Sequence, residues 1–353
     1  MATDRVLSIQ SHVSYGYVGG KAAVFPLQCL GFDVDIINSV NFSNHSGYGR
    51  LGGTRTTAAE LKSIFDGMKQ NELLTQKRLV TGYVPGAEGL SAVRDLVRTL
   101  KETEPELIYV LDPVMGDAGR LYVAPDVIPV YREMLSLATV ITPNWFEVET
   151  LTGVEMKDTQ SLQQAFKILH EEYNCPNVVM SSIPLKPWLA DILPPPIRPT
   201  PEMESPSGEY LICIASSAAN TTGTGESSTI YARCVPFISG YFSGVGDIFS
   251  ALLLGHYLTK NVEATPETAL PVAVSHALTK THAILIRTHE HALTLPEDDL
   301  HATDDEKDLS EPLRKTRRMR GRELRVIQSQ DIIRQQLHPQ AGAIEVWENF
   351  WSL

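Results

Sequence analysis

Short apolar segments alternate with helix-like segments through the first half of the chain, and this alternation is the strongest constraint on the fold. The segments predicted as strands are nearly continuous runs of apolar, often β-branched residues, such as LIYVL at 107–111. Strands that are apolar on both faces are typical of a parallel sheet covered by helices on its two sides. We therefore predict an α/β fold with a mostly parallel central sheet. The predicted strands of this half are residues 5–10, 33–40, 78–81, 107–111, 139–142 and 177–181.

The second half of the chain is predicted to be less regular. Residues 210–215 and 231–237 are expected to add antiparallel strands at the edge of the sheet. We predict one domain over residues 1–353, with three insertions or mobile segments. These are the proline-rich 184–208, the Ser-, Thr-, Asn- and Gly-rich 216–228, and 295–322, which is first acidic and then basic. We expect no regular structure in the first of them and a mobile surface loop in the last.

Composition excludes several classes of protein. The chain has 30 Lys and Arg against 42 Asp and Glu, a formal charge of −12, so it lacks the basic surface of a general nucleic-acid binder. No apolar run reaches about 18 residues, which predicts no membrane-spanning segment. The four cysteines are widely spaced and form no CxxC pair, as expected for buried thiols in a reducing compartment. We expect a cytosolic location and leave a nuclear one open.

Two glycine-rich patterns resemble phosphate-binding motifs but lack required features. Residues 16–21 (GYVGGK) resemble the end of a Walker A motif, but Tyr15 stands where that motif needs glycine, and Ala22 follows the lysine. Residues 47–52 (GYGRLG) match G-x-G-x-x-G, but they lead into a polar loop and not into a helix. The sequence therefore predicts neither a P-loop nor a dinucleotide-binding fold.

Residues 244–247 (GVGD) give a sharper signal, because an apolar helix follows them directly. A Gly-x-Gly turn at a helix start leaves free N–H groups beside the positive end of the helix dipole, which favours an anion. Asp247 falls in the first turn, where its carboxylate could face the same anion. Taken alone, Asp247 could equally be a capping residue with no chemical role.

Acidic and polar residues also follow several predicted strands. Asp112 and Asp117 come after the strand at 107–111, and two carboxylates there suit a hydrated divalent cation that also holds phosphates. Asn144 and Glu147 are three positions apart at a predicted helix start, so they can share one face. Each of these groups could instead be a turn or a helix cap. Further polar clusters follow apolar segments at 11–12, 41–48, 81–83 and 181–182.

The positions of these clusters are the main argument for an enzyme. In an open parallel sheet, ligands bind beyond the carboxyl ends of the strands, and all the clusters would face that edge. We therefore predict a site with small polar side chains from the N-terminal half and a phosphate and metal apparatus from later segments. This prediction requires the carboxylates of Asp117 and Asp247 to lie on the same side of the molecule.

These motifs, in this order, resemble those of the ribokinase-like superfamily and, within it, of the pyridoxal kinase family. The similarity covers residues 4–183 and 236–290, with a weaker match at 325–332. It is carried by the N-terminal stretch that includes NFSNHSGYG, by DPVMGD and TPNWFEVE, and by the closing GVGD. The resemblance implies a ribokinase-like fold and a kinase that transfers the γ-phosphoryl group of ATP to the 5′-hydroxymethyl group of pyridoxal, pyridoxine or pyridoxamine.

The resemblance also implies roles for individual residues. Asp247 would be the catalytic base, and the backbone amides of Gly244, Val245 and Gly246 would bind the transferring phosphoryl group. The positions matched to the vitamin site are Ser11, Val18, His45, Ser46 and Tyr83. The positions matched to the ATP site are Asp112, Asn144, Glu147, Ser181, Ser182, Ile238, Ser239, Gly240, Gly244 and Val245.

Two cations and a homodimer are implied in the same way. Mg²⁺ or another divalent cation would bind at Asp117 and, through water, at Glu147. A monovalent cation, expected to be K⁺, would bind at Asp112, Thr142 and Ser181. No nucleic-acid or membrane partner is expected.

Besides the three insertions, this chain departs from the family pattern in two places. Val245 stands where the usual GTGD motif has threonine, so a hydroxyl contact to ATP would be lost while the amide groups are kept. The flap at 118–122 is short, so a longer lid over ATP would be missing.

Other functions stay open at this point. A hydroxymethylpyrimidine kinase of the same superfamily would share the fold and the phosphate chemistry and differ in the residues that bind the ring. A binding module that keeps the pocket without catalysis is a second alternative, motivated by Val245 and the insertions, although the retained acidic residues argue against it. The basic run at 314–322 could be a nuclear signal or a partner site, but a solvated loop neutralised by the preceding acidic block is favoured.

Overall fold

A mixed sheet forms the centre of the protein in this computed structural model, which describes residues 4–200, 203, 205, 207–218, 227–259, 264–300, 305–337 and 342–353. The strands within these ranges are β1 (Arg5–Val13), β2 (Asp33–Phe42), β3 (Gly53–Arg55), β4 (Arg78–Thr81), β5 (Ile108–Leu111), β6 (Gly116–Asp117), β7 (Arg120–Leu121), β8 (Val140–Ile141), β9 (Asn177–Pro184), β10 (Tyr210–Ser217), β11 (Thr229–Pro236) and β12 (Glu345–Val346). The strands of the main sheet follow the order β12-β11-β10-β9-β8-β5-β4-β1-β2-β3, and β6 and β7 form a separate hairpin.

The central strands of the main sheet are parallel. Strands β9, β8, β5, β4, β1 and β2 pair in parallel along the sheet. At one edge β10, β11 and β12 run antiparallel, and at the other edge β3 pairs antiparallel with β2. The predicted fold class, a mostly parallel sheet with antiparallel edge strands, is therefore confirmed.

Helices cover both faces of the sheet and build a separate apolar core on each. They are α1 (Gly20–Cys29), α2 (Ala58–Gln70), α3 (Ala87–Thr103), α4 (Val127–Leu135), α5 (Trp145–Thr152), α6 (Thr159–Lys167), α7 (Pro187–Ile192), α8 (Val245–His256), α9 (Ala269–Leu293), α10 (Glu297–Leu300), α11 (Asp305–Ser310), α12 (Pro312–Gly321) and α13 (Gln330–Arg334). Helices α2 to α7 contribute to one core, and α1, α8, α9 and α13 to the other. Because Leu79 enters the first core and Val80 the second, a strand such as β4 is apolar at successive positions.

Two segments that the sequence predicted as irregular are partly helical. In the proline-rich 184–208, helix α7 begins at Pro187, a position that favours proline because the first turn leaves its amide unpaired in any case. In 295–322 the chain forms α10, α11 and α12, and the nearly buried guanidinium of Arg318 pairs with Asp308. The predicted surface loop is therefore wrong for these helices, because the acidic and basic halves of the block pair with each other. Residues 219–226 of the segment 216–228 lie outside the described residues.

Helix α9 is long and apolar enough, by length and composition, to cross a membrane. In its most apolar 18-residue window, 61% of the helix is buried inside the fold. The sequence analysis predicted no membrane-spanning segment here. Its buried residues, among them Ala273, Val274 and Ala277, belong to the second core, so they already have apolar partners within the protein.

Arg78 of β4 binds the C-terminal end of α8. Its side chain is only 4% exposed, and it donates hydrogen bonds to the carbonyl oxygens of Leu254 at 3.0 Å, Tyr257 at 2.8 Å and Leu258 at 3.1 Å. The last carbonyl groups of a helix have no partner within it, and the negative end of its dipole favours a cation. Arg78 therefore fixes α8 to the middle of the sheet.

We predict that Arg78→Met lowers the free energy of unfolding by about 2–4 kcal/mol, because buried carbonyl groups lose their donors while the chain length is kept. Urea unfolding followed by circular dichroism measures the change. Arg98→Met is the control, since Arg98 is 49% exposed and pairs with Glu133 at the surface, and its loss should cost less than about 1 kcal/mol. Equal losses for the two variants would contradict the role of Arg78.

Candidate active site

The start of α8 forms the turn that the sequence predicted as an anion site. Gly244 precedes the helix with φ 83° and ψ 7°, a left-handed conformation that glycine adopts without strain. A Cβ atom at Gly244 would lie 2.1 Å from the carbonyl oxygen of Tyr17, so the loop after β1 packs directly on this turn. The first N–H groups of α8, at Val245 and Gly246, have no carbonyl partner within the helix, and the helix dipole favours an anion beside them.

Asp247 lies in the first turn of α8 and is oriented by the loop after β1. Its Oδ2 atom accepts a hydrogen bond from the Gly19 amide at 2.7 Å, and a Cβ atom at Gly82 would lie 3.6 Å from its Oδ1 atom. Burial raises the pKa of the Asp247 carboxyl group, and the Gly19 amide offsets only part of that rise. A carboxylate with a raised pKa is a better proton acceptor than an ordinary aspartate.

Asp112 follows β5, is buried, and faces other carboxylates. Ser250 of α8 donates to Asp112 Oδ2 at 3.3 Å, and its Oγ atom lies 2.8 Å from Thr142 Oγ1. Burial raises the pKa of Asp112 well above its ordinary value, and the negative charges of Glu147 and Asp247 raise it further. Ser250 therefore links Asp112 to Thr142, two of the residues predicted to bind a monovalent cation.

Asn144 and Glu147 cap α5 and also hold the β6–β7 hairpin. They form a capping box in which the Asn144 side chain accepts from the Glu147 amide and the Glu147 side chain accepts from the Asn144 amide, both at 2.9 Å. Glu147 Oε1 also accepts from the Met115 amide at 2.9 Å, and Asn144 Nδ2 donates to the Gly116 carbonyl at 2.8 Å. The capping arrangement is therefore present, and it also positions Asp117 of the hairpin.

Contacts place these residues at one edge of the sheet, because a Cβ atom at Gly246, next to Asp247, would lie 3.5 Å from Asp112 Oδ2 and Glu147 binds the Met115 amide before Asp117. Burial raises the pKa of Glu147 to about 7 against the opposing effect of three backbone amides, and the charge of Asp117 adds to the rise. Asp112 in turn responds to both Glu147 and Asp247. Asp117 and Asp247 are thus connected through two intervening carboxylates, as the predicted site required.

The residues predicted to bind the vitamin approach the same turn from the loops after β1 and β2. A Cβ atom at Gly19 would lie 2.2 Å from both the carbonyl oxygen and the hydroxyl oxygen of Ser11, and a Cβ atom at Gly244 would lie 3.2 Å from Val18 Cα. His45 Nδ1 lies 3.3 Å from the hydroxyl of Ser243, the residue before Gly244. Ser11, Val18 and His45 therefore surround the start of α8.

The remaining predicted residues are placed at the same edge without a described contact to Asp112 or Asp247. Ser46 is exposed and begins a 3₁₀ turn, and the carbonyl of Tyr83, after β4, accepts from the Ser39 hydroxyl at 2.5 Å. Ser181 and the exposed Ser182 lie in β9. Ile238, Ser239 and Gly240 lie in the segment between β11 and α8. Their roles stay predictions.

The carboxylates at this edge suit cations that keep further ligands from water or substrate. The pKa of Asp112 is raised by burial and by the charges of Glu147 and Asp247, so a cation would relieve both the burial and the repulsion. Among the described residues, no group of three or more His, Cys, Asp and Glu side chains is arranged to enclose a metal. Two carboxylates, Asp117 and Glu147, suit Mg²⁺, which commonly keeps several waters and binds substrate phosphates.

Three residues of this site were missed in the sequence: Gly19, Ser250 and Glu323, whose carboxylate accepts a hydrogen bond from the Tyr17 amide at 2.8 Å in the loop after β1. The GG pair before α1 was a usable signal for Gly19, whose φ of 54° and contact with Ser11 favour glycine. Ser250 lies inside an apolar helix and Glu323 in a charged segment, so no local pattern distinguishes them. Their contacts depend on the tertiary fold.

The fold and the site together define a kinase of the ribokinase-like class. A family model described as phosphomethylpyrimidine kinase matches residues 56–194. The chain is 39% identical to the pyridoxal kinase of Arabidopsis thaliana over 254 residues, which is 72% of this chain and 74% of the relative. It is 35% identical to the pyridoxal kinase of Homo sapiens over 292 residues, which is 80% of this chain and 85% of the relative.

A solved structure extends the similarity to nearly the whole chain. The pyridoxal kinase from Leishmania donovani, in complex with ADP and pyridoxamine, has a TM-score of 0.73 and 32% sequence identity, and the match covers 98% of this chain and 99% of that one. This chain belongs to the pyridoxal kinase family. The predicted family, the ribokinase-like fold, the ATP-dependent kinase activity and the function in vitamin B6 phosphorylation are thereby confirmed.

We predict that Gly244→Ala destabilises the protein more than Gly153→Ala does. Both glycines have a left-handed backbone, with φ 83° at Gly244 and φ 73° at Gly153, so each alanine costs about 1–2 kcal/mol of backbone strain. Only at Gly244 would the new Cβ atom meet another backbone, that of Tyr17, because a Cβ atom at Gly153 meets nothing within 4 Å. Gly244→Ala should therefore lower the free energy of unfolding by about 1–3 kcal/mol more than Gly153→Ala does.

Urea unfolding of both variants measures this difference. Equal destabilisation of the two variants would show that the loop after β1 does not press on the turn.

Proposed function

We propose that this chain transfers the γ-phosphoryl group of ATP to the 5′-hydroxymethyl group of pyridoxal, pyridoxine and pyridoxamine, with Asp247 as the base. The observation that carries this assignment is the 2.7 Å hydrogen bond from the Gly19 amide to Asp247 Oδ2. It joins the anion-binding turn to the loop beside Ser11 and Val18. An alcohol bound against this loop would meet a phosphoryl group held at the turn, and the relative solved with ADP and pyridoxamine supports that pairing.

The proposed reaction moves one phosphoryl group and one proton. The hydroxyl oxygen of the vitamin forms a bond to the γ-phosphorus, the bond from that phosphorus to the bridging oxygen of ADP breaks, and Asp247 accepts the hydroxyl proton. A carboxylate is a far weaker base than an alkoxide, so we expect the proton to move late, as negative charge passes to ADP. The raised pKa of Asp247, caused by burial, favours this role.

The backbone at the start of α8 is proposed to stabilise the transferring group. The amides of Gly244, Val245 and Gly246 would donate to oxygens on which negative charge develops. Because amides perform this task, valine at position 245 preserves it. Asn144, Ser182 and the residues 238–240 are proposed to hold the rest of the nucleotide.

The cation sites are part of the same proposal. A divalent cation, Mg²⁺ by our assignment, would be held by Asp117 and by Glu147 through water, and it would neutralise phosphate oxygens. K⁺ would be held by Asp112, Thr142 and Ser181. The cluster of buried carboxylates with raised pKa values supports both assignments.

We further propose a cytosolic homodimer. The four cysteines, all within the described ranges, are unpaired, which agrees with a reducing compartment. The side chains of Ile36 and Ile64 are 51% and 43% exposed and line one groove along β2, β3 and α2. We propose that a second copy of this chain covers these exposed isoleucines, and sedimentation of the purified protein tests the dimer.

Asp247→Asn is predicted to lower turnover by about 10²–10⁴-fold while pyridoxal and ATP still bind, because the amide keeps the shape of the side chain but accepts no proton. Steady-state kinetics and direct titration of both ligands measure the two effects. Asp331→Asn is the control: it makes the same change in the first turn of α13, where Asp331 pairs with Arg287 at the surface. Near-normal turnover of a pure Asp247→Asn sample would rule out the base role.

The choice of vitamin is tested by measuring ATP consumption with pyridoxal, pyridoxine and hydroxymethylpyrimidine in parallel, with and without K⁺. We predict that the first two are used at least about 10²-fold better than the third, since a site built to hydrogen-bond one ring rejects another strongly. K⁺ should raise the rate. Preference for hydroxymethylpyrimidine would instead favour the hydroxymethylpyrimidine kinase that the sequence left open.

A further inference from the structure

Glu323, in the link that follows α12, makes an unusual set of contacts. Its Oε1 atom lies 2.7 Å from the Tyr48 hydroxyl and 3.1 Å from His45 Nε2, and its Oε2 atom lies 2.8 Å from the Tyr17 amide nitrogen. Only 11% of the side chain is exposed. Burial by itself would raise the pKa of this carboxyl group, but the hydrogen bonds from His45, Tyr48 and Tyr17 outweigh it, and the pKa is lowered. Glu323 is therefore held as a carboxylate.

The three partners of Glu323 belong to the two loops that surround the proposed vitamin site. Tyr17 lies in the loop after β1, next to Val18, whereas His45 and Tyr48 lie between β2 and β3. In sequence these partners are 275 to 306 positions away from Glu323. Hydrogen bonds to an ionised acceptor are roughly twice as strong as neutral ones, so one carboxylate fastens both loops to the C-terminal part of the chain.

Glu323 also holds the His45 ring in one orientation. His45 Nδ1 accepts a hydrogen bond from the Gly47 amide at 3.1 Å, so it carries no proton. The other nitrogen, Nε2, must then carry a proton, and it donates to Glu323 Oε1. Loss of the carboxylate would leave Nε2 without this acceptor and free the ring to rotate.

The same carboxylate is connected to the proposed base through the main chain. Glu323 holds the Tyr17 amide, and the carbonyl of Tyr17 packs against Gly244 at the start of α8. Two residues further along, the Gly19 amide donates to Asp247. The loop segment from Tyr17 to Gly19 is therefore held at one end by Glu323 and at the other by Asp247.

Helix α12, which leads into Glu323, packs on the same loop. The sulfur of Met319 would lie 3.2 Å from a Cβ atom at Gly47, and the Lys315 ammonium would lie 3.6 Å from a Cβ atom at Gly49. Gly16 lies directly against the carboxylate, because a Cβ atom there would overlap with Glu323. The turn Ser46–Tyr48 is thus enclosed by α12 on one side and anchored by Glu323 on the other.

We propose that Glu323 is a positioning residue of the kinase, which sets the vitamin pocket by holding Tyr17, His45 and Tyr48 together. This inference rests on the proposed reaction, in which the loops after β1 and β2 bind the vitamin. Glu323 touches neither substrate in this assignment and acts through its three partners. The nucleotide side of the site, built from Asp112, Asn144 and Glu147, does not depend on it.

The test is the Glu323→Gln variant, which keeps the shape of the side chain but loses the charge and one acceptor oxygen. Pyridoxal is titrated by its absorbance in the presence of a non-hydrolysable ATP analogue, and the analogue is titrated separately. We expect the Kd and KM for pyridoxal to rise by about 10–100-fold, the effect of losing a hydrogen bond to a charged group. The Kd and KM for the nucleotide should change by less than about twofold.

Asp35→Asn is the matched control for a general effect on the fold. Asp35 is a partly buried carboxylate that accepts from Arg5 Nε at 3.0 Å and from Gln76 at 2.6 Å, and it lies at the amino end of β2, away from the site. The Asp35→Asn variant should leave the pyridoxal Kd unchanged. An unchanged pyridoxal Kd in Glu323→Gln, or equal weakening of both ligands, would overturn the proposal. A wild-type protein that binds pyridoxal but does not phosphorylate it would contradict the proposed reaction instead, and the titration would still decide the role of Glu323.

A second variant covers the case in which Glu323→Gln does not fold. Tyr48→Phe keeps the ring, which packs 4.8 Å from the His45 ring between centroids, and removes only the hydroxyl donor. We expect a rise of about 3–10-fold in the pyridoxal Kd, and no rise would count against the proposal. If both single variants fold, the double variant should show less than the product of their effects, because they remove the same interaction.

Discussion

Negative charge buried at the carboxyl edge of the sheet is the constraint around which the rest of the structure is arranged. Burial raises the pKa of Asp112 and Asp247, and mutual repulsion adds to the rise at Asp112. Such groups destabilise a fold unless hydrogen bonds or a cation compensate them. Backbone amides provide part of the compensation, from Gly19 to Asp247 and from Met115 to Glu147. We propose that the charge that remains binds cations, which in turn neutralise the nucleotide phosphates.

Helix α8 connects this charged edge to the interior of the protein. Its C-terminal carbonyl groups are bound by Arg78 in the middle of the sheet, and its apolar residues, such as Leu252 and Leu253, are buried in the second core. Its N-terminal turn is therefore rigidly placed although it is packed against loops. A preorganised turn of this kind can face developing charge without rearranging, which is how such a group lowers a reaction barrier.

The sequence predicted the parts of the structure that local pattern controls. The strands, the long helices and the GVGD turn follow from apolar runs and glycine spacing, and the acidic residues after β5 were identified because strand ends share an edge. Ser250 and Glu323 were not identified, because their contacts join segments more than 100 positions apart. Helices α10 to α12 were missed for a related reason. Arg318 pairs with Asp308 and both side chains are nearly buried, whereas the charge pattern alone predicted a solvated loop.

The positions of the site residues along the chain explain why the substrate is harder to predict from the sequence than the type of reaction. The phosphomethylpyrimidine kinase model matches residues 56–194, a range that includes Asp112, Asn144 and Glu147 of the proposed phosphate side and Tyr83 of the proposed vitamin side, but not the GVGD turn. Ser11, His45 and Glu323 lie outside that range. Every kinase of this fold must align and stabilise the same transferring phosphoryl group. The ring of the acceptor, by contrast, differs from one kinase to another. We infer that discrimination between a pyridine and a pyrimidine alcohol comes mainly from the loops after β1 and β2, which lie outside the matched range, and from the carboxylate of Glu323 that holds them.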